Sequence, residues 1–191
     1  SLHGDGHLLV RADLADPDAI LAMVDQIAAG FGRIDVLVNN AGVYAPHPIG
    51  ETDYATWQRA WSDTLAVNLV GAANVTWCAA RHMGRGGRIV NVASRGAFRG
   101  EPRQPGYGAS KAGLIAFGQS LARALGPHGI SVAAVAPGIT DTDMAADALV
   151  GEGGTRFHVR SLLGEGGQGW VFKNNHYDTD GFLSMLALAR P

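Results

Sequence analysis

Cysteine is nearly missing from this chain: 191 residues contain one, Cys78. No internal disulfide can form, and a lone thiol within an apolar helical stretch reads as a small buried side chain. Lysine is almost as scarce, since Lys111 and Lys173 stand among cations that are otherwise arginine. Neither sign of charge dominates. Fifteen Lys plus Arg face 17 Asp plus Glu, a formal net charge of -2, which leaves no basic footprint for nucleic acid or an anionic membrane. No apolar run reaches the roughly 18 uninterrupted residues of a membrane span, and the N-terminus lacks the basic-then-apolar order of a secretion signal. The seven histidines form no metal constellation, because Gly4 and Gly6 make a helix through His3 and His7 improbable. No Gly-x-Ser-x-Gly elbow supports a serine hydrolase. A soluble, cytoplasmic protein with small-molecule partners is expected. The chain opens on Ser1 with no methionine in its first 20 residues, which suggests a fragment.

What is present is a chain 47% hydrophobic, enough for one globular domain. His7 to Val10 is a short apolar run that reads as a strand. Asp16, Pro17 and the helical spacing of Ile20, Leu21, Val24 and Ile27 then predict a helix that stops at Gly30. Ile34 to Val38 predicts a buried strand, broken by Asn39, Asn40, Ala41 and Gly42. The segment 52–82 reads as a helix ended by Gly84, Gly86 and Gly87. Arg88 to Ala93 predicts a third strand, Tyr107 to Leu125 a long helix, and Ile130 to Ala136 a fourth strand closed by Pro137 and Gly138. Apolar strands alternating with helices predict an α/β fold, a parallel sheet covered on both faces. Such sheets bind ligands at the carboxyl ends of their strands, and Asp13, Asn39, Ser94 and Pro137 all fall there.

Tyr107 and Lys111 lie four apart at the start of a helix, so their side chains share one face. A tyrosine titrates near 10 in water, too high for proton transfer at neutral pH, and a nearby ammonium eases its ionisation. An arbitrary Tyr-x-x-x-Lys is more often a half-buried phenol beside a solvated amine. Here, however, the one lysine before residue 170 occupies that place, where the bulkier fork of arginine is no substitute for a compact ammonium. Ser94 can hydrogen-bond a substrate oxygen, although a serine closing a strand is commonly a turn residue. Asn68 is a poor helix former in mid-helix, which points to a side-chain or backbone role or to a solvent-facing position.

Taken in order and spacing, Asp13, Asn39-Asn40-Ala41-Gly42, Asn68, Ser94, Tyr107-Gly108-Ala109-Ser110-Lys111 and Pro137-Gly138 resemble the short-chain dehydrogenase/reductase family over about residues 7–145. The resemblance implies a Rossmann-type doubly wound parallel sheet and hydride transfer between NAD or NADP and a ketone, such as a 3-oxoacyl group, or a secondary alcohol. It implies that Tyr107 is the general acid or base, that Ser94 holds the substrate oxygen, and that Asn68 orders a water of a proton relay. Lys111 would bind the nicotinamide ribose and lower the Tyr107 pKa. Asp13 would contact adenine, Asn39, Ala41 and Gly42 would line the cofactor cleft, and Pro137, Gly138 and Thr142 would flank the nicotinamide. No metal is implied. Helices 62–82 and 107–125 would form the dimer face of a homo-oligomer, a dimer or tetramer.

Two departures accompany the resemblance. The family's first two strands, with the glycine-rich turn that seats the pyrophosphate and the residue that selects NAD or NADP, have no counterpart here. The strand at His7 to Val10 and that at Ile34 to Val38 are therefore left either to pair directly or to leave the first poorly anchored. The family's last strand is also missing. Residues 1–145 thus read as a partial dehydrogenase domain and 146–191 as an atypical glycine-rich tail. Within that tail, Leu163 to Val171 resembles the phosphate loop of protein kinases, but neither a Val-Ala-x-Lys strand nor a His-Arg-Asp loop follows. Trp170 to Phe172 predicts a short strand, and Phe182 to Ala189 a helical turn or two. Arg95, Arg99 and Arg103, between Ser94 and Tyr107, are candidates to assist an anionic substrate, with surface solvation the ordinary alternative. The rival to an enzyme is a catalytically incomplete fragment that keeps the fold as a structural or interaction module.

Overall fold

The computed structural model describes residues 7–138 and, beyond them, the strand segments 156–157, 161–166, 169–173 and 177–178. Helix α1, Pro17–Phe31, starts where the Asp16 carboxylate accepts the free amides of Asp18 and Ala19 at 2.9 and 3.3 Å. It stops at Gly32, whose φ of 78° is left-handed and costs glycine little. Strands β1 (Val36–Asn39), β2 (Arg88–Val92) and β3 (Ser131–Val135) run parallel, with Leu37 opposite Ile89 and Ile89 opposite Val132. That row faces the helices. Leu37 packs against a cluster of Ile20, Val24, Val75 and Cys78 and against a second of Ile89, Ala122, Ile130 and Val132. The alternate row is barer, with Val36 and Val38 51% and 43% exposed. Among the described residues the helices therefore cover one face of β1.

The helix expected over 52–82 is interrupted. Helix α2, Tyr54–Leu65, capped by Asp53, passes through a π-helical turn, Ala66–Gly71, into α3, Ala72–Ala80. Such a wide turn frequently marks a functional position, and this one carries Asn68. Gly71 explains its placement: a Cβ there would lie 2.5 Å from the Leu14 carbonyl oxygen, so only glycine lets the loop before α1 settle on the turn. A four-residue helix α4, Gly96–Arg99, follows β2, and the long helix α5 spans Pro105–Leu125.

Residues 7–10 form no strand, which corrects the expectation for His7 to Val10. A strand needs a ladder for its amides and carbonyls, and among the described residues β1 pairs with β2 alone. Of the two outcomes foreseen for this segment, direct pairing is the one not taken. Leu9 is 88% exposed, while the Leu8 side chain lies over Gly30 of α1. At the other edge the sheet continues, in the order β1-β2-β3-β6-β5. Strand β6, Gly169–Lys173, pairs parallel with β3, and β5, Ser161–Gly166, pairs antiparallel with β6. The strand expected at Trp170 to Phe172 thus falls within β6. Strands β4, Arg156–Phe157, and β7, Tyr177–Asp178, make a separate antiparallel pair. The division at 145/146 and the turn expected over 182–189 lie outside the described residues. No described helix is long and apolar enough to cross a membrane.

Replacing Gly71 by Ala forces a carbon against the Leu14 carbonyl, a backbone atom that cannot rotate away. Gly71→Ala is expected to lower the unfolding free energy by about 1–3 kcal/mol, read as a reduced urea midpoint at unchanged m-value.

Candidate active site

Parallel strands end together, and their ends build the site. The chain leaves β2 through Ala93, which bonds to Val135, and the Arg95 amide donates to the Pro137 carbonyl at 2.9 Å. Ser94 is thereby held beside Pro137 and the half-buried Gly138. The Ser94 hydroxyl accepts from the Gly96 amide at 3.1 Å and hydrogen-bonds to the Tyr107 phenol. Tyr107 stands in the first turn of α5. One turn later is Lys111, only 3% exposed, with Nζ 2.8 Å from the Val92 carbonyl oxygen and 5.7 Å from the centre of the Tyr107 ring. Hydroxyl, phenol and ammonium thus meet at the end of β2.

The electrostatics correct one expectation. Burial raises the Tyr107 phenol above its ordinary value, the Ser94 hydrogen bond pulls it down, and the Glu101 carboxylate raises it further. The net direction is upward even though Lys111 Nζ lies 5.7 Å from the ring centre. Burial lowers the Lys111 pKa to about 8, so at neutral pH it is still an ammonium beside a protonated phenol. That pair is poised to donate a proton rather than to accept one.

Asn68, fully buried, holds the loop after β1. Its Oδ1 accepts from the Val43 amide at 2.7 Å, and its Nδ2 donates to the Val43 carbonyl at 3.0 Å and to Ser110 Oγ at 3.2 Å. Ser110 in turn donates to the Tyr107 carbonyl at 2.8 Å. Both ends of the Asn68 amide are engaged with protein. Asn39 is likewise turned inward, its Nδ2 donating to Thr76 Oγ1 and Asn91 Oδ1, each at 2.9 Å. Ala41 is exposed and Gly42 half-buried. Asp13 is exposed, and its Oδ1 accepts from the Ala15 amide at 2.9 Å. Thr142 lies outside the described residues.

Three neighbours of the site escaped the sequence reading. Tyr44 sets its ring edge-on to Tyr107, centroids 4.9 Å apart. Glu101 bears on both phenols, and His47, against the Gly106 amide next to Tyr107, is completely buried. The segment from Tyr44 to Pro48 follows Gly42 and Val43, but its irregular course carries no periodicity to flag it. Among the arginines, Arg95 and Arg103 both lower the Tyr44 pKa, against the larger raising by burial and Glu101. An open depression of about 640 Å³, lined by Ala97, Arg99, Glu101, Ala109 and Ala112 among others, includes neither Tyr107 nor Lys111 and is not where these groups meet.

The residues present fit the nicotinamide ribose end of a dinucleotide. An ammonium has three donors, Val92 takes one of those of Lys111, and the others can serve a diol. A Cβ on Gly42 would meet Lys111 Nζ at 3.4 Å, so glycine keeps the strand end clear beside them. The described residues do not supply a pyrophosphate seat: no glycine-rich turn leads from a described strand into a helix, and the first amides of α1 are already taken by Asp16. No group of three or more metal-ligating side chains occurs among the described residues.

The family model for short chain dehydrogenase matches residues 2–152, and the chain belongs to the short-chain dehydrogenase/reductase family. It is 40% identical over 151 residues to cis-4-hydroxycyclohexanecarboxylate dehydrogenase of Sinomonas cyclohexanicum, covering 76% of this chain and 59% of that protein. It is 39% identical over 145 residues to the 3-oxoacyl-[acyl-carrier-protein] reductase FabG of Staphylococcus aureus, covering 75% and 57%. The solved structure of a short chain dehydrogenase from Burkholderia cenocepacia in complex with NADP is 43% identical, with a TM-score of 0.66, over 73% of this chain and 58% of that one. The chain therefore spans less than two thirds of the length of each of these relatives. The fold is accordingly α/β of the Rossmann type.

The depth of Lys111 carries a pH signature. Below pH 8 it is protonated folded and unfolded alike, and burial of the charge costs stability. Between about 8 and 10.5 the folded chain gives up the proton first, the unfolded chain binds more protons, and stability rises through this group. Cys78, Tyr44 and Tyr107, all raised, act in the opposite sense at higher pH, so the comparison must be differential. The stability of Lys111→Met minus that of the wild type is expected to fall by up to about 3 kcal/mol from pH 8 to 10.5, the equivalent of the shift at 1.36 kcal/mol per unit. Urea titrations at four pH values measure it.

Proposed function

We propose that this chain carries the proton-transfer half of a nicotinamide-dependent oxidoreductase that interconverts a ketone and a secondary alcohol. The convergence of Ser94, Tyr107 and Lys111 at the end of β2 is the observation that carries the reading. In the direction of reduction, Ser94 donates a hydrogen bond to the substrate oxygen and Tyr107 supplies its proton. A phenol raised by burial is held in its acid form until an oxyanion develops beside it, which is when its proton is most readily released. Lys111, anchored on Val92, keeps positive charge behind the phenol as the phenolate forms and offers its remaining donors to the ribose. When bound, NAD or NADP supplies or accepts the hydride. Ala41, Gly42, Pro137 and Gly138 would hold it along the strand ends, with the backbone of Asn39, while Asp13 and Thr142 keep the adenine and nicotinamide contacts implied by the family. Similarity to a 3-oxoacyl reductase supports a 3-oxoacyl substrate, and similarity to a hydroxycyclohexanecarboxylate dehydrogenase supports a cyclic alcohol with a carboxylate.

The reading includes a cytoplasmic location, a domain over residues 1–145, and assembly as a homo-oligomer through helices 62–82 and 107–125. Support for assembly comes from Val70 and Trp77, 51% and 61% exposed on that first helix. A second reading, a fold-retaining interaction module without turnover, is favoured by the lack of a pyrophosphate seat among the described residues.

Titration with NADH and NADPH, followed by assay with a 3-oxoacyl thioester, separates the two. Binding and turnover support the enzyme; an intact fold with neither supports the module. In an active protein, Tyr107→Phe is expected to cut kcat by about 10²–10⁴, with circular dichroism unchanged.

A further inference from the structure

Helix α5, which carries Tyr107 and Lys111, begins without a cap of its own. Its N-cap residue, Gln104, makes no side-chain bond to the helix, although the first amides of a helix have no partner inside it. Pro105 has no amide to satisfy. The Tyr107 and Gly108 amides turn back to the Gln104 carbonyl at 3.0 and 3.3 Å. The Gly106 amide is the one left, and it donates to Nε2 of His47, 3.1 Å away and 59 residues earlier in the chain.

The other contacts of His47 fix its state. Nδ1 lies 2.7 Å from the Ala45 carbonyl oxygen, which can only accept, while the Gly106 amide can only donate. Both bonds are satisfied together by the tautomer that carries its proton on Nδ1. The His47 amide also donates to the Arg103 carbonyl at 2.8 Å, so backbone and ring clamp the two sides of the turn before α5. The ring is fully buried, with Trp57 and Trp61 edge-on at centroid distances of 5.6 and 6.5 Å. Trp61 Nε1 has no hydrogen-bond partner among the described residues, and this indole meets the imidazole through ring packing. A Cβ at Gly106 would come within 3.1 Å of Nε2, so a side chain there would crowd the bond.

We propose that His47 is a positioning residue: as a long-range cap on the Gly106 amide it sets the first turn of α5, and with it the place of the Tyr107 phenol against Ser94. The same residue steadies the loop that carries Tyr44, so the Tyr107 ring is fixed from its own backbone and from the ring packed against it. This inference rests on the reading of Tyr107 as the acid, but the capping bond is measurable without turnover.

The test compares His47→Gln, whose amide oxygen reaches the Nε2 position, with His47→Asn, whose amide reaches only the Nδ1 position. Amide hydrogen exchange by NMR in the 191-residue chain is the first readout. Losing a bond worth about 1 kcal/mol or somewhat more, His47→Asn is expected to speed exchange at Gly106 and Tyr107 about tenfold, and His47→Gln to restore protection. Equal exchange in the two variants, or wild-type protection in His47→Asn, overturns the proposal. Should His47→Asn fail to fold, the imidazole nitrogen shifts of the wild type decide: protonated Nδ1 supports the cap, and protonated Nε2 overturns it. In a protein that turns over, kcat is expected to drop about tenfold in His47→Asn with KM little changed, and to recover in His47→Gln. A change in KM alone overturns the positioning role. If exchange separates the variants while the wild type has no activity, the cap stands and the enzymatic reading falls.

Discussion

The site depends on one buried amide. Asn68 bonds both peptide groups of Val43 and the hydroxyl of Ser110, which passes the connection to the Tyr107 carbonyl. Loop, π-helical turn and the long helix are thereby fastened at one point in the interior. Unpaired, any of these polar groups would cost the full desolvation of a buried donor or acceptor, so the network holds as a whole or not at all. The width of the π-helical turn places the amide, and the bare Cα of Gly71 permits the turn to sit against the loop at Leu14.

Two further buried side chains extend this logic toward reactivity. Asn39, Asn91 and Thr76 join β1, β2 and α3 through hydrogen bonds rather than apolar contact, which fixes the register of strand ends that must present groups at one level. Lys111 is charged at neutral pH in a place where charge is costly, and among the described residues it donates to the Val92 carbonyl. Burial that destabilises an ammonium also makes it responsive to negative charge forming nearby. The same burial keeps Tyr107 protonated. Acid and cation are tuned by a shared lack of water more than by each other.

The strands were legible because apolar runs between Gly, Asn and Pro are a strong pattern, and Ile34 to Val38, Arg88 to Ala93 and Ile130 to Ala136 lie within a residue or two of β1, β2 and β3. Tyr107 and Lys111 were legible for a different reason: spacing along a helix fixes a shared face without tertiary knowledge. His7 to Val10 misled because a strand's existence depends on a partner that local sequence does not contain. The π-helical turn was hidden by an apolar period that runs on through Leu65 and Leu69. His47 and Glu101 were hidden more deeply. Their importance lies in what they touch, 59 residues away in the case of His47 and Gly106, and a lone polar residue in a loop announces none of that. Tyr107 itself shows the limit of local chemistry, since an ammonium four residues away argued for a depressed phenol and desolvation decided otherwise.

The margin of the sheet at β1 is open among the described residues. Its outer backbone groups have no ladder among the described residues, and Val36 and Val38 sit half bare along the same rim. Natural sheets blunt such borders with lysine, proline or a bulge; this one has none within its four residues. Along that rim the unpaired amides and carbonyls are geometrically those of a sheet awaiting one more strand.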